Sequence, residues 1–221
     1  MKHILIAVGL FFLVAPGLAF ASHEEEYCRQ NVKQFRKAAE QGNCIAQANL
    51  GSFYKDGCGV PRDEDEAQRW FRQAAAQFRK AAEQGDLEAQ FRLAGMYEAG
   101  DGVAQDDAAA ANWHLKAAEQ GNPQSLGVLG RLYEEGKGVA RDDVSAYMWY
   151  TLSAARGASS TSSVPAKNPL DDLETTHRLT PAQIGEARKR AQAWMSNHPV
   201  AKEGYQPYAS SLPPCGRIGE E

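Results

Sequence analysis

The four cysteines are the residues of this 221-residue chain best suited to covalent chemistry. Cys28, Cys44, Cys58 and Cys215 show no Cys-x-x-Cys spacing, so what they offer is disulfide formation in an oxidising compartment. Two bridges in three connectivities are open to them. His23, His114, His177 and His198 share no His-x-x-x-His spacing. No phosphate-cradling Gly-x-x-x-x-Gly-Lys and no Gly-x-Ser-x-Gly elbow occurs, so neither a metal nor a cofactor is expected. One pair could supply a nucleophile: Ser52 and Lys55 lie about one helical turn apart, where an amine can assist a serine hydroxyl. The acid pairs Asp106-Asp107 and Asp142-Asp143 invite a carboxylate mechanism, but each opens a helical stretch, where negative charge favours the positive end of the helix dipole. They are read as structural, and no catalytic residue is assigned.

Whether the cysteines meet an oxidising compartment turns on the N-terminus. Lys2 and His3 precede an apolar run from Ile4 to Val14, and Ala19-Phe20-Ala21 supplies a small-residue cleavage pattern. This is the form of a secretory signal peptide over residues 1–21. The apolar run is shorter than the roughly 20 residues that span a bilayer, so no stable membrane insertion is expected after cleavage, and the expected localisation is periplasmic or secreted. The full chain carries a net charge of −4, and residues 1–21 hold one lysine and no acid. A weakly acidic chain lacks the footprint of a nucleic-acid binder.

The elements that position these residues are set by repetition. Gln-Phe-Arg-Lys-Ala-Ala-Glu-Gln-Gly stands at 34–42 and again at 77–85, and Leu-Lys-Ala-Ala-Glu-Gln-Gly closes a third copy at Gly121. Fifteen residues after Gly42, Gly85 and Gly121 comes Gly-x-Gly-Val, at 57–60, 100–103 and 136–139. Between them lie Leu50-Gly51-x-x-Tyr54, Leu93-Ala94-x-x-Tyr97 and Leu129-Gly130-x-x-Tyr133, with Leu and Tyr at the i, i+4 spacing of one helix face. Asp63, Asp106 and Asp142 then cap a second helix carrying Trp70, Trp113 or Trp149, which ends at Gly85, Gly121 or Gly157. The last two copies are 36 residues apart and the first two 43, because Phe71–Gln77 is followed by the similar Phe78–Gln84. Seven residues shift a helix face by only about 20°, so one long helix over 64–84 is expected, about 31 Å in length, with two turns projecting.

Ala-Ala-x-x-Gly, Leu-Gly-x-x-Tyr, Gly-x-Gly-Val-x-x-Asp and Ala-x-x-Trp, recurring over residues 34–157, resemble the Sel1-like repeat, a relative of the tetratricopeptide repeat. Ala94 departs from the usual glycine, and the seven-residue insertion is a second departure. The resemblance implies an all-α fold, a right-handed α-solenoid of stacked antiparallel helix pairs. It also implies a non-enzymatic scaffold or adaptor of the bacterial cell envelope that binds a protein or peptide on its concave face. Transferred from the tetratricopeptide groove, that face comprises Ile45, Ala48, Ser52 and Lys55, then Glu88, Phe91, Gly95 and Glu98, then Gln124, Gly127, Arg131 and Glu134. Two alternatives stand beside this reading. Ser52-x-x-Lys55 fits the Ser-x-x-Lys of β-lactam-binding enzymes, although Ser-Asp-Asn and Lys-Thr-Gly are absent from the chain. A structural module in contact with peptidoglycan is the other.

The ends of an array must cover its apolar faces. Residues 24–41 supply an opening helix, so repeats and opening helix occupy 22–157. A Ser/Thr-rich linker at 158–166 leads to capping helices over 167–196, the last opened by Thr180-Pro181-x-Gln183 as N-cap, N1 proline and capping-box partner. An irregular tail follows at 197–221. If the first two helices are antiparallel, Cys28 and Cys58 share the open end of the hairpin and are expected to pair. That leaves Cys44, at the turn, for Cys215, or both as free thiols.

Overall fold

Every helix of the repeats starts on a side chain that accepts a hydrogen bond from the new helix's free N–H groups. In the computed structural model, which describes residues 16–156, 169–175 and 178–198, Asn43, Asp86 and Asn122 cap α2 (Cys44–Asp56), α4 (Leu87–Ala99) and α6 (Pro123–Glu135). Asp63, Asp106 and Asp142 cap α3 (Glu64–Glu83), α5 (Asp107–Glu119) and α7 (Asp143–Ala155). The first of each pair ends on a left-handed glycine, Gly57, Gly100 or Gly136, a conformation that costs other residues steric strain. Before them runs α1 (Pro16–Glu40), whose first residues fall within the expected leader; residues 1–15 lie outside the described set. After them come α8 (Pro169–Thr175) and α9 (Pro181–Asn197). The linker at 158–166 and the tail from 199 also lie outside it.

Among the described residues the fold is all-α, with consecutive helices packed in antiparallel succession, each against the next from α1 to α7. Two glycine positions set how closely they approach. A Cβ on Gly51 would lie 2.8 Å from the Phe71 ring, and one on Gly130 would lie 2.5 Å from the Tyr150 ring. Ala94 and His114, with the same 20-residue separation, occupy the corresponding slots of the middle repeat. There a smaller, five-membered imidazole accompanies the extra methyl group. The second glycine of each Gly-x-Gly joins repeat to repeat. A Cβ on Gly59, Gly102 or Gly138 would strike the backbone at Cys28–Arg29, Phe71–Arg72 or Asp107–Ala108 of the preceding unit.

The insertion does not produce a free projection. Phe78 is 2 % exposed and Ala82 is likewise buried, and α4 packs along this part of α3. Gln77 Nε2 donates to Gln47 at 2.8 Å as Gln120 Nε2 donates to Gln90 at 2.7 Å, so Gln77 marks the level at which an ordinary repeat would end. The extra turns run on past that level, and the following hairpin is seated on them. It is therefore displaced along α3 by about 10 Å, seven residues at roughly 1.5 Å each. The expectation of projecting turns is corrected to a stagger between successive hairpins.

The far end closes on α7, which packs against both α8 and α9. Thr180 and Gln183 exchange the capping-box bonds that start α9. Ala187 and Ala191 are buried against the last repeat, Leu173 and Leu179 close over Tyr147, and the Trp194 ring meets Trp149 edge-on at 5.8 Å.

Candidate functional site

The face expected to bind a partner is built from α2, α4 and α6, whose caps and glycine ends give each helix the same 13-residue length. Ile45 and Ala48 at its start are half-buried against the core around Phe71 and Phe78. Ser52 is exposed, and its hydroxyl donates to the Ala48 carbonyl of its own helix at 3.3 Å. Glu88 pairs along its helix with Arg92 at 2.7 Å. Gln124 is exposed, and Gly127 lies under Ser153 Oγ. Phe91 is half-buried, its ring set edge-on to His114 at 5.7 Å. One turn further, a Cβ on Gly95 would meet nothing within 4 Å, so the surface there is open, one turn from the Phe91 ring.

The charged members of the face do something the sequence reading did not foresee: they clamp one repeat to the next. Lys55, Glu98 and Glu134 are equivalent residues of α2, α4 and α6. Lys55 Nζ lies 2.7 Å from Asp101 in the next Gly-x-Gly loop. Glu98 accepts from Arg131 on α6 at 2.8 Å, and Glu134 accepts from Arg178 of the closing segment at 2.6 Å. Arg178 also donates to Asp143 at 2.6 Å, and Tyr150 donates its hydroxyl to Glu134 at 2.9 Å. Burial would raise the Glu98 pKa, but the neighbouring His114 imidazole and the charge of Arg131 outweigh it and hold the carboxyl below the usual glutamate value.

His114 is the residue here that pattern reading passed over. It is 1 % exposed, its Nδ1 lies 3.3 Å from Ser125 Oγ, and its Nε2 faces Glu98 at 3.8 Å without a hydrogen-bond partner. A histidine in a slot that holds Phe71 and Tyr150 elsewhere was the available signal. Serine, histidine and glutamate in succession resemble a relay, but Ser125 is wholly buried and its hydroxyl cannot meet a substrate.

The Ser52–Lys55 pair fares no better as a nucleophile. Lys55 Nζ is engaged by Asp101 at 2.7 Å and lies 5.8 Å from the centre of the Phe71 ring, so it is not placed to accept a serine proton. Among the described residues no group of three or more His, Cys, Asp or Glu is arranged to hold a metal. Cys28 and Cys58 are joined, with Cα atoms 5.3 Å apart, tying α1 to the first Gly-x-Gly loop. Cys44 is wholly buried and is disulfide-bonded rather than free. Its expected partner, Cys215, lies outside the described residues.

Stacked helix hairpins presenting one helix of each pair along a shared face define an α-solenoid repeat protein. The Sel1 repeat model matches residues 35–43, 44–77, 78–86, 87–122 and 124–157, and the chain belongs to the Sel1 repeat family. The break at 77/78 falls at the seven-residue insertion. Sel1 repeat proteins generally mediate protein–protein interaction. Among solved structures, the chain is similar to a protective antigen present in uropathogenic Escherichia coli strains that displays an SLR fold, at 28% identity and a TM-score of 0.51. That match covers 76% of this chain and 41% of the antigen, so the chain spans about two fifths of the antigen's length. A Sel1 repeat protein from Oxalobacter formigenes is 33% identical, with 75% of this chain and 99% of that one covered and a TM-score of 0.40. No curated protein matches.

Proposed function

We propose that this chain is an exported, non-enzymatic adaptor of the bacterial cell envelope, periplasmic or secreted, that holds a protein or peptide on the face formed by α2, α4 and α6. The observation that carries the reading is the open surface at Gly95, one turn from the half-buried Phe91 ring, on a face whose charged residues are paired among themselves. Lys55, Glu98, Arg131 and Glu134 satisfy one another's neighbours across the repeats, so recognition rests on shape and on the aromatic anchor rather than on net charge. The leader-like segment at 1–21 and the Cys28–Cys58 bridge support an oxidising destination. The similar E. coli protein is a protective antigen, which accords with an exported placement.

The test is affinity capture from an envelope extract with the chain as bait beside two variants, Phe91→Ala and Gly95→Trp. Neither residue is itself a member of the ion pairs between repeats. A partner held by the parent and reduced at least about tenfold by each variant, as expected for an anchor residue, supports the reading. Equal capture by all three baits refutes the placement of the site. Sedimentation of the chain with purified peptidoglycan, with no protein captured, would favour a wall-binding module. Covalent labelling of Ser52 by a fluorescent penicillin would overturn the non-enzymatic reading.

A further inference from the structure

Basic side chains are paired with acids over much of this fold and left unpaired at one end. On α4, α6 and α9, Arg92, Arg131 and Arg190 lie 2.7–2.8 Å from carboxylate oxygens. Six basic residues of α1 and α3 break that pattern. Lys33, Arg36, Lys37, Arg72, Arg79 and Lys80 are all exposed, and among the described residues none is paired with a carboxylate. On α1 the three fall at i, i+3 and i+4, and on α3 at i, i+7 and i+8, so each triplet occupies one flank of its helix.

Neutral oxygens hold the arginines in place. Arg36 Nη2 donates to the Tyr54 hydroxyl at 2.7 Å and Arg79 Nη2 to the Tyr97 hydroxyl at 3.0 Å, each across 18 residues. Arg72 Nε donates to the Gln68 carbonyl at 3.1 Å. Each guanidinium is thereby positioned while its charge stays uncompensated. The same contact recurring on successive hairpins puts both triplets on the same side of the array. In the next unit Leu115 stands where the arginine was, so the patch ends at α3. Since α1 and α3 both pack on α2, its two ridges lie at most roughly 16–20 Å apart, at 8–10 Å per helix contact. Residues 26–83 hold ten Lys and Arg against eight Asp and Glu, whereas 84–156 hold six against eleven. The array is therefore polarised, with its positive end at α1 to α3.

We infer that this flank is a docking surface for anionic phospholipid headgroups, which would seat the array on a bilayer by its α1–α3 end. Uncompensated point charges spread over an open surface match a diffuse sheet of phosphates. An acidic peptide would call for a pocketed anchor, and among the described residues Tyr27 is the exposed large hydrophobic, set on α1 six residues before the first lysine. Glu40 and Glu83 stand three residues beyond Lys37 and Lys80 and bound the patch at the helix ends. Contact is peripheral, since no described helix is long and apolar enough to cross a membrane. The face of α2, α4 and α6 is built from other helices, so the inference stands apart from the adaptor reading.

The experiment is flotation of the full chain with vesicles of phosphatidylglycerol and phosphatidylcholine, beside vesicles of phosphatidylcholine alone. Two charge-matched variants accompany the parent: Lys33→Gln/Lys37→Gln/Lys80→Gln in the patch, and Lys116→Gln/Lys137→Gln/Lys189→Gln outside it. The apolar run at 4–14 is common to all three chains, so differences between them read the patch. The parent should partition to the anionic vesicles and be released as salt rises from about 0.02 M to about 0.5 M. The patch variant should lose about tenfold or more of that partition and the other variant little. Equal partition to both vesicle types, or equal loss in the two variants, would overturn the inference. Retention on polyglutamate with no gain on anionic vesicles would overturn the lipid surface in favour of an acidic protein.

Discussion

Two glycines on equivalent helices should respond in opposite directions to the same change. Gly130→Ala places a methyl carbon 2.5 Å from Tyr150 Cδ1, 2.6 Å from Cε1 and 2.9 Å from Cγ, where carbon atoms prefer 3.5–4.0 Å. The ring must retreat by about 1 Å, and it is held by its hydrogen bond to Glu134 and by the neighbouring helix. Overpacking of this kind costs about 1–3 kcal/mol. Replacing a helical glycine by alanine returns about 0.8–1.0 kcal/mol, leaving a net loss near 1 kcal/mol. Gly95→Ala meets nothing within 4 Å and should gain the propensity term alone, so the two variants differ by about 1–3 kcal/mol. Equilibrium urea unfolding monitored by circular dichroism reads this as midpoints moving in opposite directions at an unchanged slope. Tyr150→His in the Gly130→Ala background copies the Ala94–His114 pair and should restore more stability than it removes alone. Gly130→Ala as stabilising as Gly95→Ala, or no coupling between Gly130→Ala and Tyr150→His, would refute the ring-over-glycine account.

Two further outcomes follow from the same geometry. Gly138→Ala, with φ of 67° and a Cβ aimed at the Asp107–Ala108 backbone, should cost about 3 kcal/mol or more, while Gly85→Ala, with φ of 92° and open space around it, should cost only the about 1–2 kcal/mol of left-handed strain; thermal unfolding of both variants checks the difference. Because Glu98 is held below the usual glutamate value of 4.5, its contribution to stability is present above that pH and is lost as pH falls through the folded-state value. Glu98→Gln should flatten the acid limb of the stability profile, and an unchanged limb would show that the Arg131 and His114 contacts are not made in solution.

The hairpins and their register were legible because their causes are local. A cap and its N–H partner lie two or three residues apart, as in Asp63 to Glu66 or Asp142 to Val144, and a glycine at a helix end acts on its own backbone. The clamps between repeats were not legible, because they join residues 46, 33 and 44 positions apart, from Lys55 to Asp101, Arg131 to Glu98, and Arg178 to Glu134. No periodic signal marks them: equivalent positions hold Lys55, Glu98 and Glu134, so each junction pairs its charges differently. The middle residue of Gly-x-Gly shows the same freedom, since Cys58 reaches back to Cys28 by a covalent bond and Asp101 reaches back to Lys55 by an ion pair. The seven-residue insertion was visible as a longer helix. Its effect on the next hairpin was not, because only the packing of α4 decides which end of α3 is covered.

That insertion acts as a dislocation in an otherwise periodic lattice. An array of identical units offers an extended ligand several equivalent footholds, and a ligand shifted by one unit would find nearly the same surface. With one interval longer by two helical turns, a shifted ligand meets an offset of about 10 Å and cannot match both sides of the step. The chain thus carries an internal origin, like the zero mark of a vernier, against which any extended ligand laid along α2, α4 and α6 would have to register.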